Sequence, residues 1–137
     1  MSKKNYRTVY VMRVDENGKQ YQGYLWEVDN LQKYHKMHND GFVEMVELSK
    51  NIVIMCEPEA VVRGLPLNRA VYDENGKFIT ILAGDIMAVR YENNKFMDIR
   101  KQDIFYIDKC LKQIVRIYNG KIITNSVFEL PKWDNIK

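Results

Sequence analysis

The stretch from Gly64 to Val89 constrains this chain more than any other. It opens on an elbow, Gly64-Leu65-Pro66-Leu67-Asn68-Arg69, turns on Asn75-Gly76, and steps through Leu82-Ala83-Gly84-Asp85 into the apolar run Ile86 to Val89. A proline after Leu65 pushes that residue into extended geometry. Asn-Gly accommodates the positive φ of a tight hairpin, and Gly84 allows a bulge or the close approach of another backbone. Interruptions at such short intervals leave room only for short strands, so the segment reads as sheet around which the rest must pack.

The remainder agrees with that frame. Thr8 to Val14 and Gln20 to Val28 are β-branched and aromatic on either side of Asp15-Glu16-Asn17-Gly18-Lys19, which predicts an opening hairpin. Asp73 to Lys77 repeats that pentapeptide letter for letter while its flanks do not, so shared turn chemistry explains the repeat better than duplication. Asp29-Asn30-Leu31-Gln32 has the form of a helix start, with a short helix expected to run to about His38 and stop near Gly41. Phe42 to Leu48 alternates with a small irregularity. Ile52 to Cys56 is apolar without alternation, as in a central strand covered on both faces. Pro58 ends its pairing. Phe78 to Leu82 and Ile86 to Tyr91 are strands.

Beyond Lys95 the period changes. Ile104, Ile107, Leu111 and Ile114 fall at helical spacing, predicting a longer amphipathic helix over roughly Arg100 to Gln113. Val115 to Tyr118 and Lys121 to Thr124 flank Asn119-Gly120 as a third hairpin, and an irregular tail is expected from about Phe128. The expected fold class is α+β: one domain over residues 1–137, a mostly antiparallel sheet, one short and one longer helix. The expected core is Val11, Leu25, Val43, Ile52, Ile54, Leu65, Ile81, Ile86, Ala88, Ile104, Ile107 and Leu111.

A chain of 137 residues with 46% hydrophobic and 28% charged side chains buries a core without staples and matches neither a disordered nor a membrane composition. No run spans a bilayer and no signal sequence opens the chain, so a cytoplasmic setting is expected. Cys56 and Cys110 stand far apart in sequence and read as buried, reduced thiols.

Catalytic chemistry finds few footholds. His35 and His38 lie three apart, but no further ligands accompany them, so no metal is expected. None of the three serines sits in a Gly-x-Ser-x-Gly turn, and glycines occur singly with no phosphate loop. Glu57 and Glu59 flank Pro58 as solvated charge. No catalytic residue and no cofactor is assigned, and the chain is read as a non-enzyme.

Charge is informative. Residues 41–89 carry four basic and seven acidic side chains, whereas 90–121 carry eight basic and four acidic. Lys101, Lys109, Lys112 and Arg116 would fall outside the apolar face of the longer helix, where they could meet an acidic protein surface or nucleic acid. Arg63, Asn68 and Arg69 beside Gly84 are the candidates for holding a phosphate-bearing ligand. Nine tyrosines, two tryptophans and seven methionines exceed what one small core hides, predicting a homo-oligomer.

Several of these segments recur together elsewhere. Leu31-Gln32 opens a short helix, Asp40-Gly41-Phe42-Val43-Glu44 enters a strand, and Asn51 to Met55 is followed by Glu57. Then come Gly64-Leu65-Pro66-Leu67-Asn68-Arg69-Ala70, Leu82-Ala83-Gly84-Asp85 and the closing segment Phe96 to Ile107. In this order, from Leu31 to about Leu111, the chain resembles a small domain family of unknown function common in phages and conjugative elements of Gram-positive bacteria. It departs from that family where Asp40 replaces a glycine, Leu67 replaces a proline and Glu57-Pro58-Glu59 interrupts a hairpin. The N-terminal hairpin, residues 6–28, and the residues after Gln113 fall outside the likeness.

The resemblance implies a mobile-element setting and supplies no catalytic residues. The expectation is therefore a non-catalytic binding protein that inhibits a host defence system. It would do so by anti-CRISPR-like capture of a host defence protein, or by sequestering a nucleotide second messenger. A nucleic-acid-binding regulator, or a small enzyme acting on nucleotides or nucleic acid, is the alternative.

Overall fold

The structure is a computed structural model that describes residues 6–31, 44–118 and 121–124, with side chains described to residue 115 and again at 124. Strands β1 (Tyr6–Met12), β2 (Tyr24–Asp29), β3 (Glu44–Ser49), β4 (Ile52–Cys56), β5 (Leu67–Tyr72), β6 (Phe78–Ala83), β7 (Ile86–Glu92) and β8 (Lys95–Met97) precede helix α1 (Lys101–Cys110). Strands β9 (Leu111–Lys112), β10 (Ile114–Tyr118) and β11 (Lys121–Thr124) follow it. Among the described residues the fold is a single domain of mostly antiparallel sheet with one short helix. No helix among the described residues is long and apolar enough to cross a membrane.

The main sheet runs β2-β1-β7-β4-β3, with β8 added alongside β7. Alternation sorts its side chains by face. Tyr10, Met12, Ile52, Ile54, Cys56, Ile86 and Ala88 form one core with Ile104, Ile107 and Cys110 of α1 and with Val71 and Leu82 of a second sheet, β6-β5-β9. Val9, Val28, Leu31, Met55, Val89 and Phe96 form another core on the opposite face. A strand covered on both sides reads as continuously apolar, and β4 is internal as its run predicted, although β7 holds the middle.

The repeated pentapeptide folds the same way twice. Asp15 Oδ1 accepts from the Asn17 and Lys19 amides at 2.9 Å each, and Asp73 Oδ1 from Asn75 and Lys77 at 2.9 and 2.8 Å. Positive φ falls on Gly18 and Gly76, not on the asparagines. A hairpin the sequence reading passed over turns on Asn93 and Asn94, both at positive φ, and produces β8. Asn-Asn can adopt that geometry, so the signal was present.

Other expectations need correction. The longer helix through Gln113 is not found. It ends at Cys110, because Leu111 and Lys112 pair with Val71 and Ala70 of β5. Ordinary residues differ in helix propensity by about 0.7 kcal/mol at most, whereas burying a leucine contributes about 2 kcal/mol. The ladder and the core therefore outweigh further helix. Leu111 still reaches the core, at 3% exposure, by an extended route. Leu25 is exposed instead of buried, and Val11, Leu65 and Ile81 are half-buried. The irregularity of β3 is a register shift between Glu47 and Ser49. Both cysteines are buried and free. The short helix expected to His38, Val43, both histidines and the tail from Phe128 lie outside the described residues.

Candidate functional site

The elbow and the Gly84 corner meet in the interior. A register shift between Leu67 and Arg69 turns Asn68 inward, where it is completely buried. Its amide donates to Met12 O at 2.9 Å and Gly84 O at 2.7 Å, while the Gly84 amide donates to Pro66 O at 2.8 Å. Gly84 holds φ +75° where the chain crosses from one sheet to the other, and an added Cβ would lie 3.2 Å from Leu65 Cδ1. Arg69, 4% exposed, donates to Asn68 Oδ1 at 2.8 Å and to Tyr21 O at 2.6 Å.

Beyond Arg69 lies Asp108 of α1, which accepts from the Tyr10 hydroxyl at 3.0 Å. Burial pushes the Asp108 carboxyl up to about 7, against the Tyr10 hydrogen bond and the nearby Arg69 charge, which pull it down. Burial brings the Arg69 guanidinium down to about 10 and raises the Tyr10 phenol. Asn68, Arg69 and Gly84 are thus brought together as sequence predicted, but the hydrogen bonds of the two side chains end on the chain's own atoms. Arg63 sits on the turn after Pro58, with its guanidinium 2.7 Å from the Glu57 carboxylate.

The four basic candidates do not share one helix face. Lys101 and Lys109 are exposed on α1. Lys112 lies in β9 with its ammonium 6.0 Å from the centre of the Tyr72 ring. Arg116 lies in β10, and its side chain is outside the description. The helix is anchored at its start by Asp103, which accepts from the Arg100 amide and from Arg90 Nη1, each at 2.8 Å.

Two surfaces escaped the sequence reading. The first is β2, an edge of the main sheet among the described strands. Tyr24, Leu25 and Trp26 are 38%, 52% and 59% exposed, and the Tyr24 and Trp26 rings meet edge to face at 6.1 Å. Three large apolar residues in a row, where alternation would hide only every second one, were the available signal.

The second surface is a cleft of about 270 Å³ between β3 and β6, lined also by the turn residues Glu59 to Val62. Its walls are apolar apart from Thr80 and three carboxylate residues, Glu44, Glu57 and Glu59. Beside it the Cys56 thiol is pushed up to about 12, first by burial and then by the Glu44 charge, so it is no nucleophile at neutral pH. Val61-Val62 within a turn was the overlooked sign here. Among the described residues, no three His, Cys, Asp or Glu side chains are grouped to hold a metal ion.

No curated protein and no solved structure matches the chain. A family model described as "Domain of unknown function (DUF3846)" matches residues 8–114. That span takes in the first hairpin, so the family domain is wider than the likeness from Leu31 to Leu111 indicated. It covers the main sheet, the elbow, the Gly84 corner and helix α1, and the chain belongs to the DUF3846 family.

Proposed function

We propose that this protein acts by binding rather than turnover, capturing a host protein as a counter-defence factor of a phage or mobile element in the bacterial cytoplasm. The observation that carries the reading is the β2 edge, which exposes Tyr24, Leu25 and Trp26 in succession. Aromatic side chains of this kind dominate binding energy at protein interfaces, and an edge strand offers unpaired backbone groups to a partner. Leu25 pairs with Tyr10, whose hydroxyl donates to Asp108, so Leu25 lies on the α1 side of the sheet, while Tyr24 and Trp26 pair with Val11 and Val9 and project from the opposite face. Exposed Lys101 and Lys109 then supply charge for an acidic or nucleic-acid-binding surface. The resemblance to a family met in phages and conjugative elements supports the setting. Nucleotide capture has less support, because Asn68 and Arg69 face inward.

Phage propagation in cells carrying single defence systems tests the reading. Wild-type protein should restore plaques against one of them. Trp26→Ala with Leu25→Ala, and Lys101→Glu with Lys109→Glu, should melt as wild type yet lose that effect. Turnover of a nucleotide or nucleic acid at substoichiometric protein, or restored plaques with both double variants, would refute it.

A further inference from the structure

We infer that the cleft between β3 and β6 is a second interaction surface, which takes an extended peptide segment of a partner protein bearing alternating apolar and basic side chains. The cleft lies across the molecule from the β2 edge, since β2 and β3 end the main sheet on opposite sides.

Three features converge on this occupant. β3 ends one sheet and β6 ends the other, and neither has a further partner among the described strands. Alternate N–H and C=O groups along β6 that β5 does not take are therefore available to an added strand, whose main-chain hydrogen bonds would supply affinity whatever its sequence. Apolar side chains line the floor and rim: Ile81 is half-buried, and Val62 is 84% exposed. A side chain from every second residue of an added strand would cover them. The lining also holds Glu44, Glu57 and Glu59 with no basic residue, although the protein carries a net charge of +3. Arg63 answers Glu57 from outside the cleft, leaving Glu44 and Glu59 to select lysine or arginine in the guest.

The test uses the full chain against a displayed library of random heptapeptides, followed by fluorescence anisotropy with the best selected peptide. Alternating apolar and Lys/Arg sequences should be enriched over the Glu44→Lys/Glu59→Lys protein. Glu44→Gln with Glu59→Gln should weaken the chosen peptide roughly fivefold or more. N-methylation of its alternate amides should remove binding altogether, because strand addition needs those donors. Trp26→Ala should leave the peptide affinity unchanged, so failure here and failure of capture through β2 are read separately. The inference falls if nothing is enriched, if selected peptides lack basic residues, or if the N-methylated peptide binds equally well. It falls too if the cleft substitutions alter only self-association or RNA binding.

Discussion

Replacing Asn68 tests whether the elbow is held from inside. Asn68→Ala removes two hydrogen bonds to Met12 O and Gly84 O and the Oδ1 acceptor of Arg69, at a site with no exposure. A buried polar group stripped of its partner costs about 1–3 kcal/mol. Arg69 Nη1 keeps a bond to Asn68 O at 3.0 Å, which limits the loss on that side. The two carbonyls and the weakened guanidinium together give about 3 kcal/mol, or roughly 12 °C of melting temperature for a chain of this size. Asn68→Asp keeps the shape and the Arg69 bond but sets a carboxylate oxygen against both carbonyls. The folded protein should then hold a proton on it, with a pKa above the unfolded value of about 3.9. Relative to wild type, stability is best below that pH. It then falls by about 1.4 kcal/mol per unit as pH rises, until the folded pKa is passed. Urea unfolding followed by tryptophan fluorescence from pH 4 to 8 reads both effects. A cost below about 1 kcal/mol for the alanine variant, or a pH profile of the aspartate variant parallel to wild type, would refute the reasoning.

Asp108 carries a related prediction. Its folded pKa of about 7 exceeds the ordinary 3.8, so between those values the folded state binds more protons and stability falls as pH rises. Asp108→Asn should flatten that part of the profile in urea midpoints, gaining on wild type as pH rises toward 7. Gly23→Ala would set a Cβ 2.6 Å from Cε2 of buried Tyr10, so thermal melting should show a loss of about 1–3 kcal/mol. Cys56 and Cys110 are buried with raised pKa values. A colorimetric thiol reagent at pH 8 should therefore modify them only in step with unfolding, and fast modification of native protein would contradict their burial.

The sequence by itself determined the local geometry. Asp-Glu-Asn-Gly-Lys closes the same turn twice, because its aspartate and glycine satisfy the loop without help from the rest of the chain. Apolar runs and β-branched stretches likewise marked the strands, and Gly84 marked a corner that L side chains rarely enter. What only the tertiary structure decided was how far each element ran and which way its side chains faced. Leu111 kept its helical spacing from Ile107 yet joined a strand, because β5 offered it a ladder and a core. Asn68 and Arg69 looked like ligand-binding groups, but a register shift turned them onto carbonyls from β1, the Gly84 corner and Tyr21, segments distant in sequence. Leu25 pairs with a buried tyrosine and is nevertheless exposed, on a strand that is an edge among the described strands. The cleft is formed by β3 and β6, edges of two different sheets, so no pattern within either strand reveals it. Edges and sheet-to-sheet gaps are set by long-range pairing, and local periodicity carries no record of that.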